Sequence, residues 1–423
     1  MLEGYDIYKT SRASYIVEAA LEYFISLLIT DAFLATLLTK SGISDATAGV
    51  ITQLASLSFA AQLFAVFIKK GRGIKRFVTL MHLFDQMLYV LLYLVPVIKI
   101  PTEFKAMLFV ILFLGGHLVA SMISPYKLTW LMSLVPDKSR GRFTANKEII
   151  SLIGGMIFSF LMGSLVDHFN EIGKENIGFA LCGVTIFVLA VLHLVSLLII
   201  KEPPFEELPN RHVGFVDAIK SVIGNKVLLK IILIGVIYHL ATGICLSFYG
   251  TYKIHELGFS LKYVAFLSML SAISRVAFSR LFGKFADKYS WAKMMTVCFG
   301  ILMIAFGVNI FTVPSNGHIM FALYSCLYAI SMAGINSGLM NIVFDYVPLN
   351  ERTAALGITK AAGGLAAFPM ALVGSRILTY IQSSSNMLFG IPVYGQQVLS
   401  FIAFAFMMLL VVYMKTVILK LKK

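Results

Sequence analysis

Long apolar runs fill most of this chain, and their length decides what it can fold into. Of its 423 residues, 59% are hydrophobic and 13% are charged. About 20 apolar residues cross a bilayer as an α-helix, and unpaired sheet edges cannot cross lipid. The sequence therefore predicts an all-α membrane protein with twelve transmembrane helices. The predicted spans, numbered 1 to 12 in chain order, are 13–38, 47–68, 77–98, 105–132, 143–167, 177–200, 228–252, 262–284, 292–313, 317–345, 354–380 and 397–418.

Two short patterns recur at nearly the same offset, which indicates that the chain consists of two similar halves. Residues 135–142 recur in outline at 347–354, and residues 63–70 align without gaps with 281–288. Each copy lies between apolar runs. In membrane proteins such repeats are typical of transporters whose substrate site lies between two pseudo-symmetric helix bundles.

The longest polar link separates the two halves. It contains the sequence Glu202-Pro203-Pro204, which cannot continue a helix because proline lacks the backbone N–H donor. We therefore predict an N-terminal six-helix bundle over 1–200, a cytoplasmic linker over 201–227 and a C-terminal six-helix bundle over 228–423.

The basic residues are unevenly distributed between the loops, which predicts the orientation. The chain has a net charge of +14, and most Lys and Arg residues lie in the loops after even-numbered spans and at the two chain ends. By the positive-inside rule these loops and both termini are cytoplasmic.

The same clustering of basic residues in loops argues against binding to nucleic acid. We expect a monomer in the lipid bilayer of a bacterial inner membrane. The opposite loops carry little beyond Lys40, Lys99, Lys105, Lys174, Lys253 and Lys262.

Several kinds of chemistry have no matching motif in the sequence. No glycine-rich phosphate loop is present, so the energy for transport would come from an ion gradient or from the substrate's own gradient. No cofactor is predicted, and Cys and His do not cluster in a way that suits a metal site. The four cysteines lie inside apolar runs and are predicted to be buried free thiols: Cys182, Cys245, Cys298 and Cys326.

One loop motif, together with the six-plus-six plan and the long central link, resembles the major facilitator superfamily. That family repeats Gly-x-x-x-Asp-(Arg/Lys) between the second and third helix of each half. The second half keeps it at Gly283 and Asp287, whereas the first half has Ala65 and Lys69 at those positions. The resemblance covers nearly the whole chain and implies a secondary transporter of alternating access. It also implies that spans 1, 4, 7 and 10 line the central cavity.

The resemblance also implies a cytoplasmic gate. Arg140 and Arg352 match the Arg that the family repeats after the fourth helix of each half. Asp287 would interact with a neighbouring helix N-terminus or with Arg352, since a carboxylate is stabilised at either. We therefore predict a gate formed by Gly283, Asp287, Arg140 and Arg352, with more of its closure depending on the second half.

Ionisable groups inside predicted spans are candidates for proton coupling. A charge at membrane depth costs about 3 kcal/mol, so such groups are expected to be functional. Glu18 and Glu22 are four residues apart and share one face of span 1. They are the first candidates, with Glu22 ahead of Glu18, and His117 and His239 could relay protons. The alternative for each is a structural hydrogen bond within the bundle.

Other polar residues of the spans have less specific interpretations. His82 and Asp85 share a face of span 3, which the resemblance places at the periphery, so both are predicted to be structural. Polar and aromatic side chains of the second half suit a small polar solute, although helix-to-helix hydrogen bonding explains them equally well. The predicted substrate-binding residues are Arg275, Tyr238, Tyr324, Tyr328 and Asn336.

Three functions remain open from the sequence. A proton symporter that imports a polar solute, such as a sugar or glycoside, comes first. A proton antiporter that exports drugs or lipids comes second, because span 5 contains Gly154, Gly155 and Gly163 but lacks the proline found in many family exporters. A membrane enzyme or receptor comes last, since no nucleophile motif, metal box or sizeable soluble domain is present.

Overall fold

The computed structural model describes residues 7–67, 74–136, 140–202, 224–346, 352–388 and 390–421, and these are almost entirely helical. The predicted all-α fold class is confirmed. One two-residue antiparallel ladder between Met387–Leu388 and Ile391–Pro392 precedes span 12. The main α-helices are Lys9–Leu28, Asp31–Lys40, Asp45–Leu57, Ile74–Leu92, Thr102–Ser133, Arg140–Glu171, Glu175–Ile199, Lys226–Gly243, Leu261–Lys288, Trp291–Ile310, Gly317–Tyr346, Arg352–Ser383 and Gly395–Thr416.

These helices correspond to the twelve predicted spans, but the first two spans are irregular. Within the described residues, ten helices are long and apolar enough to cross a membrane. Span 1 consists of Lys9–Leu28 and Asp31–Lys40, which meet at an angle of 41°. Span 2 begins as the α-helix Asp45–Leu57 and continues as a 3₁₀-helix over Ser58–Phe67.

The break in span 1 has a local cause. Thr30 is extended, and Asp31 has a φ of 50°, a left-handed value that interrupts the helix. The last carbonyls of a helix lack partners in their own helix. One of them, the Leu28 carbonyl, accepts a hydrogen bond of 2.6 Å from the Tyr93 hydroxyl, which is buried. Span 3 thus stabilises the end of the first helix of span 1.

Serine caps set the start of three helices. Ser44, Ser260 and Ser290 each accept a hydrogen bond from the backbone N–H three residues later. This arrangement satisfies one of the free N–H groups at a helix start. Two long helices contain an internal proline, Pro125 in span 4 and Pro369 in span 11. Proline cannot donate to the carbonyl four residues earlier, so the hydrogen-bond ladder is locally interrupted there.

By their contacts the residues divide into two compact units. Unit one contains Met1–Ile43 and Phe64–His212, and unit two contains Ser44–Leu63 and Val213–Lys423. The helix Asp45–Leu57 of span 2 therefore belongs to unit two. A buried apolar cluster of unit one joins spans 1, 3, 4 and 6 through Tyr15, Val78, Trp130, Leu131, Leu134, Val135, Leu197 and Ile200.

Close backbone approach holds the helix of span 2 within unit two. A methyl group added at Gly49 would overlap the ring of Phe248 in span 7. A methyl group added at Gly364 of span 11 would overlap the carbonyl of Ser56. Small residues at such positions let helices pack closely, which stabilises helix pairs in membranes.

Candidate functional site

A polar face of span 1 begins the candidate site in unit one. Tyr15, Glu18 and Glu22 follow at spacings of three and four residues, so they lie on one side of the helix Lys9–Leu28. The Glu18 side chain is 0% exposed, whereas the Glu22 side chain is 45% exposed. One carboxylate is therefore enclosed by the protein, and the other is accessible.

Lys127 of span 4 contacts both carboxylates. Its Nζ lies 2.6 Å from Glu22 Oε2 and forms a second ion pair with Glu18 Oε1. Lys127 follows the internal proline Pro125 by two residues. A buried charge is tolerated when it is paired and hydrogen-bonded, and the two carboxylates pair with the buried Lys127 ammonium in this way. The three charges sum to −1, and one added proton makes the group neutral.

His193 of span 6 also contacts the buried carboxylate of Glu18. Its Nε2 lies 3.0 Å from Glu18 Oε1, and its Nδ1 lies 2.7 Å from the Gln86 amide nitrogen of span 3. With the amide donating to Nδ1, the neutral ring donates its Nε2–H to Glu18. The adjacent helix turn is fixed because the Ser14 hydroxyl donates to the Ser196 carbonyl at 2.8 Å.

His82 and Asp85 extend this cluster, and their predicted structural role stays a prediction. Both side chains are buried, and the His82 ring lies 5.3 Å from the His193 ring in an edge arrangement. His82 Nδ1 is 3.1 Å from Asp85 Oδ2. The helix Ile74–Leu92 therefore turns its polar face inward, toward span 6, because His82, Asp85 and Gln86 recur at helical spacing.

His117, a predicted proton relay, has apolar surroundings in unit one. Its ring lies 4.4 Å from the Phe113 ring and 5.5 Å from the Tyr89 ring. Its Nε2 is buried and has no hydrogen-bond partner among the described residues. This geometry is that of an imidazole packed between aromatic rings. Its proposed role in proton coupling stays a prediction.

The predicted residues of unit two lie in an aromatic environment. The Tyr238 hydroxyl donates to Met332 Sδ at 3.4 Å, and its ring lies 5.0 Å from the ring of His239. His239 is half-buried against Gly363, where an added methyl group would overlap the imidazole. Span 7 and span 11 therefore meet closely at His239.

The Tyr324 ring is the centre of a second aromatic group. It lies 5.3 Å from the Tyr249 ring and 5.8 Å from the Tyr328 ring. Arg275 on span 8 is half-buried, and Asn336 on span 10 is exposed. The structure thus joins Tyr324 and Tyr328 directly. The substrate-binding role of Arg275 and Asn336 stays a prediction.

The predicted gate residues lie at helix ends. Gly283 and Asp287 occupy the last turns of the helix Leu261–Lys288, and Arg140 and Arg352 are the first residues of their helices. Asp287 is exposed and makes no hydrogen bond or ion pair with a described side chain. The first-half counterpart Lys69 lies outside the described residues. The gate therefore stays a prediction.

A second polar cluster lies in unit two, at the start of the span 2 helix. Asp45, the first residue of the span 2 helix, has Oδ1 2.7 Å from His255 Nδ1. Its Oδ2 accepts a hydrogen bond of 3.1 Å from Gln382 Nε2 at the end of span 11. Gln382 and Asn386 each also donate to Glu256, at 3.3 Å. This cluster connects span 2 to the ends of spans 7 and 11, and we call it the Asp45 cluster.

Sequence reasoning did not identify Lys127, His193 and Gln86. A signal was present for each, since all three are polar residues inside long apolar runs, where each needs a partner. Lys127 in particular is one of few cations deep in a predicted span. Which carboxylate it meets depends on how spans 1 and 4 are rotated about their axes, and helical spacing within one span does not contain that information.

Many apolar helices with paired charges buried among them define an integral membrane protein of many spans. The sequence profile of the Major Facilitator Superfamily matches residues 18–371. The chain belongs to this superfamily of transporters, and its fold is the superfamily's fold.

Three solved structures are similar to this chain in fold. A nucleoside transporter, NupG, is similar with a TM-score of 0.71 and 13% identity, covering 97% of this chain and 99% of that chain. An auto-inhibited POT family peptide transporter has a TM-score of 0.75 and 11% identity, with 98% and 97% covered. A D-xylose–proton symporter has a TM-score of 0.66 and 16% identity, with 94% and 97% covered. A search of curated proteins found no match.

Proposed function

We propose that this transporter couples the uptake of a small polar solute to proton entry, with Glu22 and Glu18 as the proton-binding groups. The observation that carries the proposal is the position of Lys127 Nζ, which forms ion pairs with both carboxylates, one buried and one accessible. Two carboxylates that share one ammonium leave one negative charge uncompensated. A proton on Glu22 removes that charge and frees the ammonium to pair with Glu18 alone.

This exchange of partners supplies a physical reason for coupling. An unpaired charge is costly at membrane depth, so the protonated and deprotonated clusters favour different arrangements of the groups around Lys127. A transporter changes conformation when a ligand binds one of its states better than the other. Here the ligand is the proton, and the solute would bind as the second ligand.

The solute would be bound by polar and aromatic residues of unit two. Tyr238, Tyr324 and Tyr328 offer hydroxyl groups beside aromatic faces, and Arg275 and Asn336 offer hydrogen-bond donors. Such groups suit a polyhydroxylated solute such as a sugar or glycoside. Two similar structures are titled a nucleoside transporter and a D-xylose–proton symporter, and their solutes have this chemistry. His239 and His117 would serve as further proton relays.

The remaining parts of the proposal concern setting and orientation. We place the protein as a monomer in a bacterial inner membrane, with both termini and the loops after even-numbered spans in the cytoplasm. The uneven distribution of Lys and Arg supports this orientation. The gate of Gly283, Asp287, Arg140 and Arg352 would then close the cytoplasmic side.

A flux assay in proteoliposomes tests the proposal. A pH-sensitive dye is enclosed in the lumen, and a panel of sugars, glycosides, nucleosides and small peptides is added outside one at a time. Symport predicts that one class of solute acidifies the lumen, and that Glu22→Gln abolishes this acidification. Alkalinisation would indicate antiport instead, and solute entry without proton movement would overturn the coupling.

A further inference from the structure

The helix of span 3 carries a group of buried polar atoms that the proposed function does not use. Asp85 Oδ1, Gln86 Oε1, Thr79 Oγ1 and both ring nitrogens of His82 are buried without hydrogen-bond partners among the described residues. His82 Nδ1 and Asp85 Oδ2 are 3.1 Å apart, but their orientation is not that of a hydrogen bond. Native proteins leave few buried polar atoms unpaired, and each one is destabilising. Five such atoms on one helix face call for an explanation other than packing.

We propose that Asp85 and His82 form a second proton-binding site, which His193 couples to the carboxylate of Glu18. The inference rests on the proposed function only in what the second proton is used for. The site itself is defined by the geometry. A proton bound by Asp85 or by His82 turns one of these unpaired acceptor atoms into a donor, which can then pair with an acceptor beside it.

His193 is placed to couple the two sites because it touches both. Its Nε2 contacts Glu18 Oε1 at 3.0 Å, and its ring meets the His82 ring at 5.3 Å. Any change in the charge or orientation of His193 therefore changes the electrostatic environment of both Glu18 and His82. In a low-dielectric interior such an effect is larger than in water.

Gln86 allows His193 to hold either protonation state. Its amide nitrogen lies 2.7 Å from His193 Nδ1 and donates to the neutral ring. A half-turn of the amide would instead present Oε1, which accepts from the ring when Nδ1 carries a proton. Gln86 directly follows Asp85 in the helix, so the amide lies next to the proposed second site.

Charged and titratable groups of spans 1, 3, 4, 5 and 6 lie around the cluster. Span 1 contributes Tyr15, Glu18 and Glu22, span 3 contributes His82, Asp85 and Tyr89, span 4 contributes Lys127 and span 6 contributes His193. Lys147 of span 5 approaches through the Tyr15 ring, with its Nζ 4.9 Å from the ring centroid. Within the described residues, Lys127 is the cation that forms ion pairs here. A proton bound at Asp85 therefore changes the net charge of the groups that surround Glu18.

The test uses infrared difference spectra of the purified, lipid-reconstituted protein during pH changes, with the proton as the probe. The carbonyl band of each protonated carboxyl group is assigned by its loss in Glu22→Gln, Glu18→Gln or Asp85→Asn. Besides any band of the two glutamates, we expect one band that is lost in Asp85→Asn. We also expect Asp85→Asn to change the protonation constant of Glu18 by about tenfold, one unit in its titration midpoint. In a His193→Gln background the same substitution should change it less than about twofold.

The controls separate coupling from damage to the fold. His168→Gln removes an exposed imidazole of unit one, in the last turn of the span 5 helix, and should leave the tenfold coupling unchanged. If Asp85→Asn fails to fold, His82→Gln removes the same site and should give the same shift. The proposal is overturned if no carboxyl band depends on Asp85, or if its effect on Glu18 is equal with and without His193. Neither result needs a solute, so this test can fail while the proposed transport function stands.

Discussion

Lys127 Nζ lies 2.6 Å from Glu22 Oε2 and also forms an ion pair with Glu18 Oε1. One ammonium group of span 4 is therefore paired with two carboxylates of span 1. The arrangement contains one more negative charge than positive charge. It is therefore complete only when a proton or a further cation is bound. This relationship is the basis of the coupling that we propose.

Replacing Lys127 with Met should destabilise the protein strongly. The substitution leaves the fully buried Glu18 without its cation, and breaking a buried ion pair from one side costs about 3–5 kcal/mol. Thermal unfolding of the purified protein measures the effect. The double variant Lys127→Met with Glu18→Gln should recover part of the loss, since it removes the stranded charge.

Lys40→Met is the matched control for this prediction. Lys40 Nζ lies 2.6 Å from Glu175 Oε1, but both side chains are more than a third exposed. An exposed pair contributes between 0 and about 1 kcal/mol. Equal stability of the Lys127 and Lys40 variants would contradict the view that Lys127 is held in a buried cluster.

Gly49→Ala should destabilise the packing of span 2 within unit two. The added methyl group would overlap the Phe248 ring, and overpacking costs about 1–3 kcal/mol. Gly300→Ala is the control, because a methyl group there meets no atom within 4 Å. In a helix that exchange is neutral or stabilising by up to about 1 kcal/mol. An equal change of the unfolding temperature in the two variants would contradict the close approach of Gly49 to Phe248.

Asp45→Asn should loosen the Asp45 cluster. It weakens the charge-assisted contacts of Asp45 with His255 and Gln382, worth about 2 kcal/mol, so the population in which the span 2 helix is locally separated from spans 7 and 11 should rise roughly thirtyfold. The readout is maleimide labelling of Ala48→Cys, a buried position on the same helix, in a background without the four native cysteines. Glu175→Gln, at an exposed ion pair of unit one, should leave labelling unchanged. If Asp45→Asn does not alter the labelling rate, the contacts of Asp45 do not hold the span 2 helix against spans 7 and 11.

Asp287→Asn should slow transport more than it weakens solute binding. The carboxylate ends the span 8 helix and is exposed, so its expected contribution is to closing the cytoplasmic side during the cycle. Losing a contact of about 1–2 kcal/mol would shift the ratio of open to closed states about five- to thirtyfold. Distances between spin labels across that face measure the shift. Lys69→Ala should do much less, and an equal effect of both variants would disprove a gate that depends on the second half.

The sequence was sufficient for the helices and for the superfamily, because a span must be long and apolar to cross lipid. The lengths of spans 3 to 12 follow from that requirement. The irregular parts do not. The break after Leu28 depends on a hydrogen bond from Tyr93 of another span. The place of the span 2 α-helix in unit two depends on the close approach of Gly49 to Phe248, which no local pattern encodes.

The candidate site was predicted in part. Helical spacing placed Glu18 and Glu22 on one face, and the structure keeps them together. Their partners come from distant spans, and a span's own periodicity does not say which neighbour its polar face meets. For this reason Lys127 and His193 were missed, and the contact of His82 with the His193 ring was not predicted. The unbalanced charge of the two glutamates was the available clue that a cation must lie nearby.

The most direct test of the account is the movement of protons when a solute enters proteoliposomes, compared between the wild type and Glu22→Gln. With a pH-sensitive dye in the lumen, we predict that the transported solute acidifies the wild-type lumen. In Glu22→Gln, solute should still exchange across the membrane but the lumen should not acidify. Acidification of equal rate in both proteins would contradict the central claim that the carboxylates around Lys127 carry the coupled proton.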